Sequence, residues 1–133
     1  MGLDMYGYTM RADFVGERQT DVKLTTEAEK EQAAQRDIAY WCKFHHLHGW
    51  MAGLYEEKGG QEDCFNCCNV RLNEEDLDRL ALALDEDRLE HTPGFFFGGD
   101  EINEQDIVDT RAFITAAREA IRHGEAVFYD SWW

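Results

Sequence analysis

The sequence predicts an α+β fold: one domain over residues 1–133, with a long buried central helix and two amphipathic helices against a small, mainly antiparallel sheet. Three observations predict it. A helix-period apolar pattern in the middle of the chain runs almost all the way round, as in a helix buried on every side. The strand-like segments are few, short and poor in Val and Ile, which speaks against a doubly wound parallel sheet. The chain has 133 residues, 44% of them hydrophobic and 31% charged, the size and composition of one globular domain.

The elements follow in order. Leu3 to Arg11 alternates loosely through Met5, Tyr6, Tyr8 and Thr9 and reads as a strand. Residues 12–24 are polar and mixed and read as a loop. Thr26-Glu27-Ala28-Glu29 fits a capping box. A helix over 27–57 should follow and end at Gly59-Gly60. One of its stripes is Tyr40, Phe44, Leu47, Met51 and Leu54; a second is Ile38, Trp41, His45, His48, Ala52 and Tyr55. Together they make 38–55 the expected core helix. Residues 67–72 read as a short strand.

Asn73 then caps a helix over about 74–90, with Glu74, Glu75 and Asp76 at the positive end of its dipole and Leu77, Leu80, Ala81 and Leu84 inward. Pro93-Gly94 breaks the chain, and Phe95-Phe96-Phe97 reads as a buried strand or turn. Asn103 caps a third helix over about 104–123, and residues 126–132 close the sheet. Phe96, Phe128 and Trp132 are expected inside.

The 28 acidic and 13 basic residues leave a net charge of −15. Such a chain is repelled by nucleic-acid and membrane phosphates, so direct nucleic-acid or membrane partners are not expected. No run reaches the roughly 18 apolar residues of a membrane span. Met1 to Tyr6 has neither the basic nor the apolar part of a signal peptide, and Tyr6 stands where a myristoylation signal needs Ser or Thr. A cytoplasmic protein is the expectation.

Met1-Gly2-Leu3-Asp4-Met5-Tyr6, Tyr40-Trp41-x-Lys43 with His48-Gly49-Trp50, Gly94-Phe95-Phe96-Phe97-Gly98 and Phe128-Tyr129-x-Ser131-Trp132 occur in this order over nearly the whole chain. In these motifs the chain resembles a family of small proteins carried by phages and prophages. The resemblance implies a mobile-element origin and no assigned activity. The chain departs from that pattern at Cys42, His45, Cys67 and Cys68.

The charge is unevenly placed. Residues 73–109 hold 13 acids against Arg79 and Arg88, so this stretch carries eleven of the fifteen excess negative charges. Its candidate binding residues are Glu74, Glu75, Asp78, Asp85, Glu86, Asp87, Asp100, Glu101, Glu104 and Asp106. A field of one sign steers cationic partners. With a phage origin, the expected partner is a basic surface of a host defence or nucleic-acid-handling complex. The expected activity is inhibition by nucleic-acid mimicry, of which an anti-CRISPR-type inhibitor is the concrete version. The plainer reading of the same run is a solvated face. Self-association into a homo-oligomer is left open.

Two further constellations give the alternatives. Cys42-x-x-His45 and Cys64-x-x-Cys67 have the spacing of one tetrahedral zinc, with His46, His48 and Cys68 spare. This predicts a zinc-stabilised structural or regulatory module, with Cys42 and His45 on one helix face. The plainer reading is that these side chains pack a core. His45 or His48 beside Glu62 or Asp63, with Cys64 as nucleophile, would make a small enzyme. No phosphate loop, nucleophile elbow or dinucleotide fingerprint supports that reading, and no catalytic residue is assigned.

Overall fold

The molecule is built round two long neighbouring strands, β1 (Asp4–Arg11) and β4 (Glu125–Trp132), in a computed structural model that describes residues 3–62, 65–85 and 104–133. They form the middle of a four-stranded antiparallel sheet in the order β2-β1-β4-β3. The expected α+β class is the observed one. The expected strands at either end of the sequence are these two.

The predicted helix over 27–57 is three elements instead: α2 (Glu27–Ala33), β2 (Arg36–Cys42) and α3 (His45–Glu57). The Thr26 hydroxyl caps α2 by accepting from the Glu29 amide at 3.1 Å. The Glu29 carboxylate accepts from the Thr25 and Thr26 hydroxyls rather than from a backbone amide. Ala34 then takes a left-handed conformation (φ 49°, ψ 51°) and ends α2. That is the usual role of a glycine, and a side chain there costs roughly 1 kcal/mol.

β2 pairs along β1 from Cys42 opposite Asp4 to Arg36 opposite Thr9, with a bulge at Ile38. Lys43, also left-handed (φ 58°), reverses the chain into α3. The central helix therefore starts at His45, and its buried side chains include Leu47, Met51, Leu54 and Tyr55. The stripes through Ile38, Tyr40 and Trp41 belong to a strand.

β1 and β4 alternate cleanly, which sends their side chains to two cores. Met5, Trp41, Val127, Tyr129, Val70 and Leu72 face α3, α4 (Glu74–Asp85) and α5 (Glu104–Arg122). Leu77 and Leu80 from α4 and Phe113, Ile114 and Ala117 from α5 complete that core, as their spacing predicts. The Trp41 indole donates to the Thr110 hydroxyl of α5 at 2.9 Å. Tyr8, Met10, Ala126 and Phe128 face the other way, under the short α1 (Ala12–Val15), Val22 and Ala33. The predicted loop 12–24 thus contains a turn of helix and part of the second core.

Phe128 is buried as expected, but Trp132 is 63% exposed. It shares a face with Phe128 and Asp130, and it stands opposite Asp4, beyond the reach of α1 and α2. Trp133, on the opposite face, is the tryptophan that docks: its indole donates to the Phe65 carbonyl at 3.2 Å.

β3 (Val70–Leu72) is shorter than the predicted strand and would leave an open edge. The segment before α2 covers it. Arg71 donates its amide to the Gln19 carbonyl, and Asp21 donates to the Asn69 carbonyl. The end of the predicted helix 74–90, and Phe95 to Phe97, lie outside the described residues.

Candidate functional site

α4 carries much of the described part of the acidic run, and the structure brings cations to it from Lys58 and from α5. Asp76 is buried at the helix start, where its carboxylate accepts from the Asn73 amide at 2.9 Å and from Lys58 Nζ at 2.6 Å. Asp78 pairs with Arg118 of α5 at 2.7 Å, and Asp85 with Arg111 of α5 at 2.9 Å. Arg79 reaches Glu57 of α3 at 3.1 Å. α4 and α5 are packed side by side, and the Asp78 and Asp85 pairs bridge the seam between them. These two carboxylates tie helices together as well as facing solvent, a role that spacing along one helix does not reveal.

Glu74, Glu75 and Glu104 are exposed, and no cation pairs with them among the described residues. Around the first turn of α5, Asp106 is half-buried and its carboxyl is pushed up, first by burial and then by the charge of Asp109. Asp109 accepts from the Gln105 amide at 2.9 Å. Like charge is therefore crowded at the end of the helix pair where α4 finishes and α5 begins. The residues joining the two, 86–103, hold Glu86, Asp87, Asp100 and Glu101, which lie outside the described residues. In sequence that segment adds five acids and one arginine. The described remainder of the acidic run divides into a partly neutralised α4 face and an α5 start that no lysine or arginine pairs with among the described residues.

The predicted zinc ligands are not on one helix face. Cys42 ends β2 and is exposed, while His45 opens α3 and is buried, because the left-handed Lys43 separates strand from helix. Cys67 is exposed in the turn before β3 and Cys64 lies outside the described residues. Among the described residues, no group of three or more His, Cys, Asp or Glu is placed to hold a metal ion.

The histidines of α3 are core residues. His48 is 5% exposed, stacks on Phe65 and shares a 2.8 Å hydrogen bond between Nδ1 and the Tyr129 hydroxyl. Burial, and then the charge of His45, lowers its pKa to about 4, so it is neutral at pH 7. Burial pushes the Tyr129 phenol well up, so it too stays protonated. His45 and His46 are buried and stack on each other. Glu62 is exposed, its amide donating to the Tyr55 hydroxyl at 3.0 Å, and Asp63 lies outside the described residues. A neutral histidine walled in by aromatic rings holds the core together and is poorly placed for proton transfer to a solvent-borne substrate.

Sequence reasoning missed an open cleft of about 720 Å³ on the opposite side of the sheet. Its floor is Tyr8 and Asp130, and its walls come from residues 21–25, α2 and the turn at Cys67 to Asn69. The pieces lie far apart in sequence and only the sheet pairing collects them.

The chain matches no family model, and no curated protein or solved structure shows significant similarity to it. No helix among the described residues is long and apolar enough to cross a membrane.

Proposed function

We propose that this is a binding protein that offers the acidic end of the α4–α5 pair to a basic surface of a partner protein. The partner surface is of the kind that otherwise grips nucleic acid, and occupying it inhibits the partner. The phage resemblance favours a host defence complex as the target, in the manner of an anti-CRISPR inhibitor. One observation supports the reading: the start of α5 crowds Glu104, Asp106 and Asp109 with no lysine or arginine paired to them among the described residues, while Arg111 and Arg118 of α5 go to Asp85 and Asp78. The contact surface is then narrower than the whole acidic run. It is centred on Glu104, Asp106 and Asp109 at the start of α5, with Glu74 and Glu75 at the far end of α4.

The test is a comparative pull-down from host lysate. The wild type is run beside a variant with Glu86, Asp87, Asp100, Glu101, Glu104 and Asp106 changed to Ser or Asn. A control variant has Glu27 and Glu31 of α2 changed to Ser. A partner retained by wild type and control at about 50 mM salt should be lost from the charge variant, and lost from all three at about 500 mM, where the Debye length falls to about 4 Å. The purified partner should lose its nucleic-acid binding when the wild type is added. A partner captured equally by the charge variant overturns the proposal.

A further inference from the structure

The cleft beside β1 and β4 is built from fixed polar groups. Asn69 is buried in the turn before β3, and every hydrogen-bonding position on one side of its amide is committed. Its Oδ1 accepts from the Val22 amide at 2.8 Å, and its Nδ2 donates to the Val22 carbonyl at 2.7 Å and to the Tyr8 hydroxyl at 2.8 Å. The Tyr8 oxygen accepts from Asn69, and the Asp130 carboxylate lies near enough to Tyr8 for each to shift the other's titration. The Ser131 amide donates to Asp130, at 2.6 Å from Oδ1. Asp130 is thus oriented by a neutral donor, and no cation pairs with it among the described residues. Partial burial pushes its pKa up to about 6, which reflects the same lack of a counter-charge.

The space above Asp130 has an apolar side, formed by Val22, Leu24 and Ala34. Asp21 and Glu31 add two more carboxylates to the lining. Asp21 is committed to the Tyr55 hydroxyl at 2.8 Å. The two cations of the lining, Lys23 and Lys30, sit on exposed positions at the rim, and Lys30 lies 3.5 Å from Glu27. The group fixed at the floor is therefore an anion, and the mobile groups are the cations. A concave site with an apolar wall and a few converging fixed polar groups is the usual form of a small-ligand site.

We propose that this cleft is a binding site for a small organic cation, an amine or guanidine with a compact apolar body. The ammonium or guanidinium pairs with Asp130, and the apolar part packs on Val22, Leu24 and Ala34. Pairing a desolvated carboxylate with a cation recovers interaction that its neutral donor does not supply. The site is independent of the acidic face of α4 and α5, from which the sheet separates it.

The test uses three probes of one shape: benzylamine, benzyl alcohol and benzoate. Each is titrated to about 10 mM into uniformly labelled protein and followed by amide chemical shifts. Benzylamine should shift the amides of residues 21–25, 67–69 and 129–131 with saturation, and benzyl alcohol and benzoate should bind at least tenfold more weakly. Asp130→Asn should weaken benzylamine at least tenfold, with no loss of thermal stability to confuse the result. Lys23→Ser, on the rim, should leave it unchanged or tighten it. Equal binding of the three probes overturns the proposal, as does benzoate preference abolished by Lys23→Ser, undiminished benzylamine binding to Asp130→Asn, or no saturable shift in the wild type.

Discussion

Lys58 and Asp76 form a buried ion pair, 2.6 Å from Nζ to Oδ2, that joins the end of α3 to the first turn of α4. Lys58 also donates to the Arg71 carbonyl and to Gln19 Oε1, and Asp76 also accepts from the Asn73 amide. One pair therefore ties α3, α4, β3 and the segment before α2. Removing one partner strands a charge away from water, which typically costs about 3–5 kcal/mol. Asp76→Ala should destabilise by that order, read from urea unfolding. Lys58→Met combined with Asp76→Leu should recover part of the loss, because an apolar pair strands no charge. A double variant no more stable than Asp76→Ala alone would show that the hydrogen bonds matter more than the charges.

Gly7 lies in the middle of β1 because α5 comes too close for any side chain there. A Cβ at this position would stand 2.6 Å from Phe113 Cε1 and 3.2 Å from the Ala39 Cβ. Gly7→Ala should lower stability by about 1–3 kcal/mol, the usual range for overpacking. Adding Phe113→Leu should make the alanine less harmful than it is alone. The thermal midpoints of the two single variants and the double variant decide this, and strictly additive losses would sink the steric explanation.

Asn69→Ala removes three hydrogen bonds at once and leaves the Val22 amide, the Val22 carbonyl and the Tyr8 hydroxyl to find new partners. At about 1 kcal/mol for each bond lost, the expected destabilisation is about 3 kcal/mol. The damage should be local: hydrogen exchange at Val22 and its neighbours should accelerate more than exchange in β4. Uniform acceleration would mean that Asn69 acts only through global stability.

Buried His48 and half-buried Asp130 give the protein opposing responses to acid. The folded state holds His48 down at about 4, from an ordinary 6.5. The unfolded chain takes up that proton first, so the stability His48 contributes is whole above pH 6.5 and is lost as the pH falls towards 4. Asp130 is held up at about 6, from an ordinary 3.8. The folded state keeps that proton longer, so its cost is absent below about pH 3.8 and grows as the pH rises towards 6. Between pH 4 and 6 the two trends offset one another. In Asp130→Asn the offset is gone, and the His48 term, on the order of 3 kcal/mol, should appear as a steeper loss of stability on acidification. Urea unfolding of wild type and variant at pH 4, 5, 6 and 7 measures the difference. Parallel curves would show that Asp130 ionises normally.

The α+β class and the four strands' helical partners α4 and α5 are readable from patterning, since Leu77, Leu80, Phe113 and Ala117 fall at helix spacing and are buried. The break between α2 and α3 is not readable in the same way. Ala34 and Lys43 adopt left-handed turns that glycine usually marks. β2 is an edge strand with a bulge at Ile38, so its alternation is lost and its side chains happen to fall at a helix period. Tyr40, Trp41 and Cys42, good strand formers in sequence, were the available signal. The acidic run was visible as composition, but not that Arg111 and Arg118 would bridge to it from α5. The cleft had no local signature, because Tyr8, Asn69 and Asp130 meet only through sheet pairing.

The position of β4 between β1 and β3 has a consequence for biosynthesis. Until the ribosome has delivered residues 125–132, β1 lacks its inner neighbour and β3 has no strand to join, so neither core can close. A sheet whose central pairing joins such distant parts of the chain should assemble after translation of those residues, in a slow cooperative step, with nascent chains depending on chaperones to shield Tyr8, Met10 and Leu72 meanwhile.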